Sequence, residues 1–237
     1  MEQIATTGFP VIPELRPSNG WKELPIKECG EPLICLNGVH LQITVDVQYT
    51  KSGIRTASNL QYARLSVAEK LSQAASSLPS RMKLVIWDAW RPLEVQQELF
   101  NNYREKLKLE HSQLSFEELT NMTQRYVSLP SSDPAKPSPH YTGGAVDLSI
   151  LDPNGHPLDM GTSFDHFGPE AAVQFFEENK INITARENRR LLYYTLSEVG
   201  FSVYEEEWWH FDFGNQFDGA RSNKPVAIYG CISPTTR

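Results

Sequence analysis

The stretch Ser138-Pro-His140-Tyr-Thr-Gly143-Gly144-Ala-Val-Asp147 places a histidine and a carboxylate seven positions apart, with two glycines between them. From the alanine to residue 150, polar or small residues alternate with apolar ones, which is the period of a half-buried β-strand. The strand would hold Asp147 rigidly. Because glycine adopts positive φ readily, the glycine pair is expected to bend the chain and return His140 toward Asp147. A polar hairpin with a surface histidine is the alternative interpretation of this stretch taken alone.

A neutral imidazole and a carboxylate together suit a divalent cation such as zinc. A catalytic zinc site needs a third protein ligand and keeps one position open for water. The segment Glu207-Trp-Trp-His210 offers that ligand in His210. The sequence therefore indicates a zinc site formed by His140, Asp147 and His210.

Glu207 precedes His210 by three positions, and a regular strand would place the two side chains on opposite faces. If both serve one site, the chain must turn or bulge between them. A glutamate near the metal that does not bind it can take a proton from water and pass it to a leaving group. The alternative is an aromatic core strand, but burying a glutamate and a histidine without partners would be costly.

Arg91 precedes Pro92 at a predicted strand-to-helix junction, where side chains commonly point into a site. Proline suits the first turn of a helix, so the helix is expected to begin here. The alternative for Arg91 is a surface arginine that bonds a helix end. His156 and His166, although close to the site in sequence, are expected in solvent-exposed loops.

Length and composition indicate an ordinary globular chain. A sequence of 237 residues can form one full-sized domain with a sizeable core. The net charge of −7 and the lack of a Lys/Arg stripe argue against a nucleic-acid partner. No run approaches the roughly 18 apolar residues of a membrane span. The N-terminus has no secretion-signal pattern, so we expect a cytoplasmic protein whose three cysteines are free thiols.

Periodicity and turn signals predict a mixture of strands and helices without strict alternation. Strands are expected at residues 42–49, 83–89, 145–150, 201–213 and 226–230. Helices are expected at residues 62–78, 92–107, 115–127, 169–180 and 184–199, with capping boxes at Ser115–Glu118 and Thr184–Glu187. This pattern favours an α+β single domain with a central, mainly antiparallel sheet flanked by helices and the zinc site in a cleft on the sheet.

These motifs resemble a known family, the VanX-type zinc D-alanyl-D-alanine dipeptidases of peptidase family M15. The pattern Ser-x-His-x-x-Gly-x-Ala-x-Asp at 138–147, followed by Glu-x-Trp-His at 207–210, is similar to the family signature. Asp88-Ala-Trp-Arg-Pro92 and Met160-Gly-Thr-Ser-Phe-Asp165 resemble two further family motifs. The likeness runs in order from about residue 41 to residue 216, and the Met-Gly-x-x-Phe-Asp element is typical of the dipeptidase branch.

The resemblance implies roles for individual residues. The implied ligands of one zinc ion per subunit are His140, Asp147 and His210. Glu207 would be the general base, and Arg91 would stabilise the oxyanion of the tetrahedral intermediate. Asp165 would hold the free amino group of the dipeptide, and Ser138 would help to shape the substrate pocket. Residues 1–40 are rich in proline and irregular, so they are expected to form an extended arm that packs on a zinc metallopeptidase domain at 41–237.

The resulting prediction is a zinc-dependent dipeptidase that hydrolyses D-alanyl-D-alanine to two D-alanines through a metal-activated water. Its expected partners are a small dipeptide and a second copy of the chain in a homodimer, with no nucleic acid and no membrane. Residues 58–61 depart from the family pattern, which leaves a peptidase for other small dipeptides or peptidoglycan fragments as an alternative. A non-catalytic zinc-binding relative is the second alternative. Glu207 and Arg91 argue against it, because a purely structural zinc site needs neither.

Overall fold

A computed structural model describes residues 8–15, 17, 19–124 and 126–234. The first seven residues of the predicted arm lie outside these ranges. The strands are β1 (Leu33–Cys35), β2 (Ile43–Val45), β3 (Tyr62–Arg64), β4 (Lys83–Asp88), β5 (Ala145–Leu151), β6 (Ser202–Val203) and β7 (His210–Asp212). The helices are α1 (Gln48–Lys51), α2 (Leu65–Ser77), α3 (Leu93–Glu110), α4 (Phe116–Thr123), α5 (Phe175–Glu178), α6 (Ile183–Ser197) and α7 (Gln216–Arg221).

Five strands form the central sheet in the order β2-β4-β5-β7-β6. β2 and β4 run parallel, and the other neighbouring pairs are antiparallel. Strands β1 and β3 form a separate antiparallel pair. Buried side chains of α2, β4, β5 and α6 share one hydrophobic cluster, so helices cover the sheet. The predicted α+β fold with a mainly antiparallel central sheet is confirmed.

Strand β5 is buried on both faces, so the prediction of a half-buried strand is wrong. Val146, Leu148 and Ile150 belong to the hydrophobic cluster. Asp147 and Ser149 point the other way, yet they are only 2% and 1% exposed. The alternating pattern in the sequence indicates which face of the strand is polar. It does not indicate that other parts of the chain cover this polar face.

Several predicted boundaries shift because tertiary pairing competes with local pattern. Residues 62–64 pair with β1 as a strand, so α2 begins at Leu65. The predicted strand at 42–49 ends at Val45, and a helical turn begins at Gln48. The predicted helix at 169–180 is a short 3-10 helix followed by α5, and the predicted strand at 226–230 is a single bridge between Ala227 and Ile26.

One of the two predicted capping boxes is absent, and one predicted strand is interrupted by a turn. The capping box of Ser115 and Glu118 is present at the start of α4, which ends at Thr123. Helix α6 is instead capped by the Asn182 side chain, which accepts from the Ala185 amide at 3.0 Å, so the capping box predicted at Thr184 is wrong. The predicted strand at 201–213 is two short strands joined by a turn.

Arg64 joins three distant parts of the chain in the protein interior. Its fully buried guanidinium donates to the Glu28 carboxylate at 2.8 Å and to the Gly230 carbonyl at 3.0 Å. Its Nε donates to the Thr142 carbonyl at 2.8 Å. Glu28, Gly230 and the turn that holds His140 therefore meet at one side chain. Within the described ranges, no helix combines the length and apolar character needed to cross a lipid bilayer.

Candidate metal centre

Strand register brings the first two candidate ligands together. Asp147 on β5 lies directly opposite His210 on β7, and on its other side it lies opposite Asp88 on β4. Directly opposed residues of antiparallel strands project from the same face, with Cβ atoms about 5 Å apart. The Asp147 Oδ1 atom accordingly lies 3.0 Å from His210 Nδ1. Two residues 63 positions apart are thus placed side by side by sheet pairing alone.

A tight turn positions the third candidate ligand, His140. Residues Pro139–Thr142 form a 3-10 helix that ends at Gly143, whose φ is 71°. A side chain at this position would be strained and would lie 2.6 Å from Leu33 Cδ2, so glycine is required. The turn places His140 Nε2 at 3.2 Å from His210 Nδ1 and 3.3 Å from Asp147 Oδ2. The predicted return of His140 toward Asp147 is confirmed.

In His140 and His210, the outer ring nitrogen is the one that does not face the other two candidate ligands. Its partner determines the tautomer of the ring. His140 Nδ1 lies 2.7 Å from the Ala89 carbonyl oxygen, which can only accept. His210 Nε2 lies 3.0 Å from the buried Asp212 carboxylate. In the neutral rings, the inner nitrogens therefore carry lone pairs. Three acceptors, two imidazole nitrogens and the Asp147 carboxylate, converge on one point.

Converging acceptors repel one another unless a cation lies between them. The three candidate ligand residues are buried, and their donor atoms all lie within 4.8 Å of one another. Ligands about 2.0–2.2 Å from zinc in a tetrahedron are about 3.3 Å apart, close to the separations here. Burial lowers the pKa of His210, but Asp212 and Asp147 outweigh it and raise that pKa well above its ordinary value. The cluster attracts positive charge, and its donor set fits zinc.

Glu207 reaches the same centre because the chain turns between β6 and β7. The Glu207 amide donates to the Tyr204 carbonyl at 3.1 Å, and the His210 amide donates to the Glu207 carbonyl at 3.2 Å. Because of this turn, Glu207 and His210 reach the same site, although a regular strand would place them on opposite faces. The turn that the sequence analysis required is present. The Glu207 carboxylate lies 3.9 Å from His210 Nδ1, and 37% of the side chain is exposed to the cleft. Burial, opposed by His210, raises the pKa of Glu207 above its ordinary value.

Arg91 points into the site rather than to the surface. Its Nη2 donates to Asp147 Oδ2 at 3.2 Å and to the Tyr49 hydroxyl at 3.2 Å. Its Nε donates to Asp88 at 2.7 Å, and its Nη1 donates to the Gln96 side-chain oxygen at 2.7 Å. Four acceptors therefore hold the guanidinium beside the converging ligands.

The remaining two predicted residues line the cleft above this centre. The cleft has a volume of about 730 Å³, and both Asp165 and Ser138 lie in its wall together with the five residues above. Asp165 is exposed to the cleft, and desolvation by the cleft walls together with the nearby Asp147 raises its pKa to about 7. Ser138 lies two residues before His140, and its Oγ accepts from the Ser131 amide at 3.2 Å. All seven predicted site residues thus line one cleft.

Four residues at the site were given no role by the sequence: Tyr49, Asp88, Gln96 and Asp212. Tyr49 is the last residue of the predicted strand at 42–49. Asp88 has the strongest sequence signal, because it begins the segment that ends in Arg91-Pro92. Asp212 follows His210 by two residues, which on a strand means the same face, so its position could have been noticed. His156 is solvent-exposed and the three cysteines are free, as expected. His166 was also expected in a solvent-exposed loop, but it is only partly exposed and lines the cleft, with its Nε2 3.1 Å from Glu170.

The chain matches the family model of peptidase M15, described as D-Ala-D-Ala dipeptidase, over residues 36–227. A D-alanyl-D-alanine dipeptidase of Synechocystis sp. is 29% identical over 242 residues, covering 91% of this chain and 98% of that protein. A D-alanyl-D-alanine dipeptidase of Escherichia coli is 29% identical over 133 residues, covering 56% of each chain. VanYB solved in complex with D-alanine-D-alanine is 15% identical, with a TM-score of 0.43 and coverage of 85% of this chain and 93% of that chain.

Proposed function

Because this chain belongs to the M15 family and is therefore a metallopeptidase, we propose that it is a zinc-dependent dipeptidase that hydrolyses D-alanyl-D-alanine to two D-alanines. One observation supports this most strongly. A buried His-Asp-His cluster, a glutamate that does not belong to it and an arginine share a single cleft. A structural zinc site would be closed by a fourth protein ligand and would need neither the glutamate nor the arginine. The two extra residues favour chemistry on a substrate.

The proposed zinc ligands are His140 through Nε2, His210 through Nδ1 and Asp147 through its carboxylate. Zinc, when bound, supplies Lewis-acid chemistry that polarises a carbonyl oxygen and makes water a stronger nucleophile at neutral pH. The Ala89 carbonyl and Asp212 keep the two imidazoles in the ligating tautomers. The protein thereby holds the donor atoms in place before the metal arrives.

Glu207 is the proposed general base. Its side chain is partly open to the cleft, and its pKa is raised, so it can hold a proton at its carboxylate and later release it to the leaving amine. Arg91 is the proposed oxyanion donor. Its guanidinium is already held by four acceptors, so little reorganisation is needed when negative charge develops on the substrate carbonyl oxygen.

Asp165 is proposed to bind the free amino group of the dipeptide. In the absence of a cation its carboxylate resists ionisation, which the raised pKa of about 7 reflects. A substrate ammonium would supply the missing positive charge and favour the ionised form. An N-blocked peptide would leave that carboxylate without a partner, so it should bind poorly. Ser138 is proposed to contribute to the pocket wall beside His140.

A second candidate substrate is a longer peptide that ends in D-alanyl-D-alanine, and the size of the cleft favours it. A volume of about 730 Å³ is within the range of about 300–1,000 Å³ that is usual for drug-sized ligands. A dialanine has only about eleven non-hydrogen atoms and would fill a fraction of it. The outer cleft could therefore hold upstream residues.

One assay separates the two candidates. The zinc-loaded protein is incubated with D-Ala-D-Ala, L-Ala-L-Ala, N-acetyl-D-Ala-D-Ala and a pentapeptide ending in D-Ala-D-Ala, and free alanine is measured. Release from free D-Ala-D-Ala alone, abolished by a chelator, supports the dipeptidase. Release from the pentapeptide means a carboxypeptidase. No release from any of them, with zinc bound, contradicts both candidates.

The cytoplasmic location and the homodimer stay predictions. Cell fractionation tests the location, and light scattering of the purified protein tests the homodimer.

A further inference from the structure

Residues 160–172 form a loop, the clamp loop, that carries Asp165 in the wall of the cleft. The two ends of this loop lie side by side, because one guanidinium on α6 bonds both of them. Arg189 donates from Nε to the Met160 carbonyl at 2.8 Å and from Nη1 to the Ala172 carbonyl at 2.7 Å. Compact loops whose ends meet in this way are frequently functional.

Arg189 bonds the backbone of the clamp loop with all of its nitrogens. Its Nη2 donates to the Glu170 carbonyl at 2.7 Å, so three main-chain oxygens of one loop surround the guanidinium. The side chain is 3% exposed, and burial lowers the pKa of Arg189 to about 9. Burying a charge is costly, and an apolar side chain would fill the same space without that cost. What the arginine adds is a fixed separation of the two loop ends.

The middle of the clamp loop holds Asp165 in a strained conformation. The ring of the preceding Phe164 packs at centroid distances of 5.2–5.6 Å against the rings of Trp87, Tyr49 and Trp209. Asp165 itself has a φ of 55°, and its side chain is exposed to the cleft. A residue with a side chain keeps this left-handed conformation only where the surrounding structure fixes it. The position of the Asp165 carboxylate therefore depends on the bonds that restrain the loop.

Trp208 joins the clamp loop to the turn that carries Glu207. Trp208 follows Glu207 directly and is 2% exposed. Its indole Nε1 donates to the Thr162 hydroxyl at 2.7 Å, and its amide donates to the Ala171 carbonyl at 3.0 Å. One bond lies near the start of the loop and the other near its end. The loop is thus attached to the turn that carries the proposed general base.

We infer that Arg189 and Trp208 are positioning residues for substrate binding, because together they hold the clamp loop where Asp165 reaches the free amino group of the dipeptide. The inference rests on the proposed function, in which Asp165 binds that group. Neither Arg189 nor Trp208 lines the cleft, so both act through the loop. A loop released from them would spend part of its time with the carboxylate out of place, and affinity would fall by the fraction of time lost.

The test measures binding to zinc-loaded Glu207→Gln protein, which is used so that the dipeptide is not hydrolysed. D-Ala-D-Ala is titrated in a calorimeter with and without Arg189→Lys, and with and without Thr162→Val, which removes the acceptor of the Trp208 indole. If the released loop places Asp165 correctly for about a tenth to a third of the time, each change weakens binding about three- to tenfold. Thr162→Ser keeps the hydroxyl and should bind as the parent does.

The decisive result is whether these effects depend on Asp165. Asp165→Asn alone should weaken binding about tenfold or more, because a hydrogen bond to a charged group is lost. In the Asp165→Asn background, Arg189→Lys and Thr162→Val should have no further effect, since the loop no longer positions a carboxylate. A merely structural role would weaken binding by the same factor in both backgrounds.

Arg190→Lys is the matched control. Arg190 is the next residue of α6, and its guanidinium pairs with Glu177 at 2.5 Å instead of the clamp loop. This change should leave D-Ala-D-Ala binding unaltered. Zinc analysis and circular dichroism of every variant distinguish a displaced loop from lost metal or unfolding. If Arg189→Lys does not fold, Thr162→Val decides the test.

Three results would count against the inference, and they differ in what else they remove. Equal weakening in both Asp165 backgrounds, or none in either, overturns the inference while the proposed function stands. Unchanged binding in Asp165→Asn removes the proposed role of Asp165 and the inference with it, but not the zinc chemistry. If the Glu207→Gln protein does not bind D-Ala-D-Ala at all, the proposed substrate is wrong and the inference falls as well.

Discussion

At the residue scale, the separation between Glu207 and the ligand cluster distinguishes a base from a ligand. Its carboxylate lies 3.9 Å from His210, whereas the three ligand residues approach one another to 3.0–3.3 Å. The cluster therefore keeps its donor set if Glu207 is removed, and the proton acceptor is lost. Zinc binding and turnover should respond differently to the same change.

Glu207→Ala should lower kcat about 10²- to 10⁴-fold, the usual contribution of a general acid–base group, with zinc content unchanged. Metal analysis and the alanine-release assay check this on one preparation. Glu206→Ala is the control, because Glu206 is the adjacent acidic residue in the cleft wall and bonds the Tyr204 hydroxyl. Loss of zinc from Glu207→Ala, or full activity, contradicts the assignment.

Asp212 is expected to act on zinc through the proposed ligand His210. It is fully buried, lies 3.0 Å from His210 Nε2, and is itself bonded by the Asn215 amide at 2.5 Å. Asp212→Asn removes the negative charge that orients the ring and keeps its inner nitrogen basic. We expect zinc affinity to fall about 10- to 100-fold, measured by competition with a chelating dye. Unchanged affinity would show that the aspartate has no such role, and circular dichroism shows whether the variant is folded.

Most of the proposed site residues could be predicted from the sequence, because polar and charged side chains are costly to bury without a partner. His140, Asp147, His210, Glu207 and Arg91 are polar residues in apolar surroundings, and such residues need partners or a function. The roles of Asp88, Asp212, Tyr49 and Gln96 are different in kind. Each supports another side chain, and that support exists only once distant segments are adjacent.

At the scale of single elements, the prediction was most accurate where local pattern and tertiary environment agree. α3 begins next to Pro92 and β4 spans Lys83–Asp88, both close to the predicted ranges. It was least accurate where a short segment pairs across the fold. Residues 62–64 follow the helical period of α2, but hydrogen bonds to β1 draw them into a strand. Long-range pairing of this kind leaves no signal in the local sequence.

One buried carboxylate takes part in the contact between residues 9–15 and helices α5 and α6. Glu177, with 8% of its side chain exposed, accepts from the Ile12 amide at 3.1 Å and pairs with Arg190 at 2.5 Å. Burial raises its pKa, but the bonds from Arg190 and Ile12 outweigh this and lower it below the ordinary 4.5. A carboxyl with a lowered folded-state pKa stabilises the protein above its unfolded pKa. That contribution is lost as pH falls through the folded-state value.

Glu177→Gln should therefore lower the free energy of unfolding by about 2 kcal/mol at pH 7, the value of hydrogen bonds to a charged group. The difference between parent and variant should shrink as the pH falls from 4.5 and should vanish below the lower folded-state pKa, where the parent carboxyl is also protonated. Urea unfolding at pH 7, 5 and 3.5 measures it. Glu98→Gln is a control with an exposed partner, Arg55, that does not involve the arm. A difference that persists undiminished at low pH would contradict this account.

At the scale of the whole molecule, the site is assembled from elements that are far apart in sequence. β4, β5 and β7 supply the floor through register, one turn supplies His140, and another supplies Glu207. Arg64 holds the His140 turn against both ends of the described chain. The ligand set could be predicted from residue chemistry. The cleft could not, because its walls include the arm, α3 and α7, which share no motif.

Convergence of acceptors makes the folded protein dependent on a cation. Without a metal, a proton on His210, whose pKa lies well above its ordinary value, is the cation of this buried site, where the donor atoms of His140, Asp147 and His210 lie within 4.8 Å of one another. Zinc held by these proposed ligands would stabilise the folded state, because the unfolded chain offers no preformed site. At a free zinc concentration of about 1,000 times Kd, the linkage adds about 4 kcal/mol to the stability of the fold.

Removing zinc with a chelator should therefore lower the midpoint of thermal unfolding by about 10 °C, since about 1 kcal/mol corresponds to about 2–4 °C in a chain of this size. Calorimetry of the zinc-loaded and chelated protein measures the shift. His140→Ala is the comparison that isolates the site, because it removes one ligand and should abolish the shift. His156→Ala changes a solvent-exposed histidine and should keep the shift in full. A zinc-dependent shift of equal size in His140→Ala would place the stabilising metal elsewhere in the molecule.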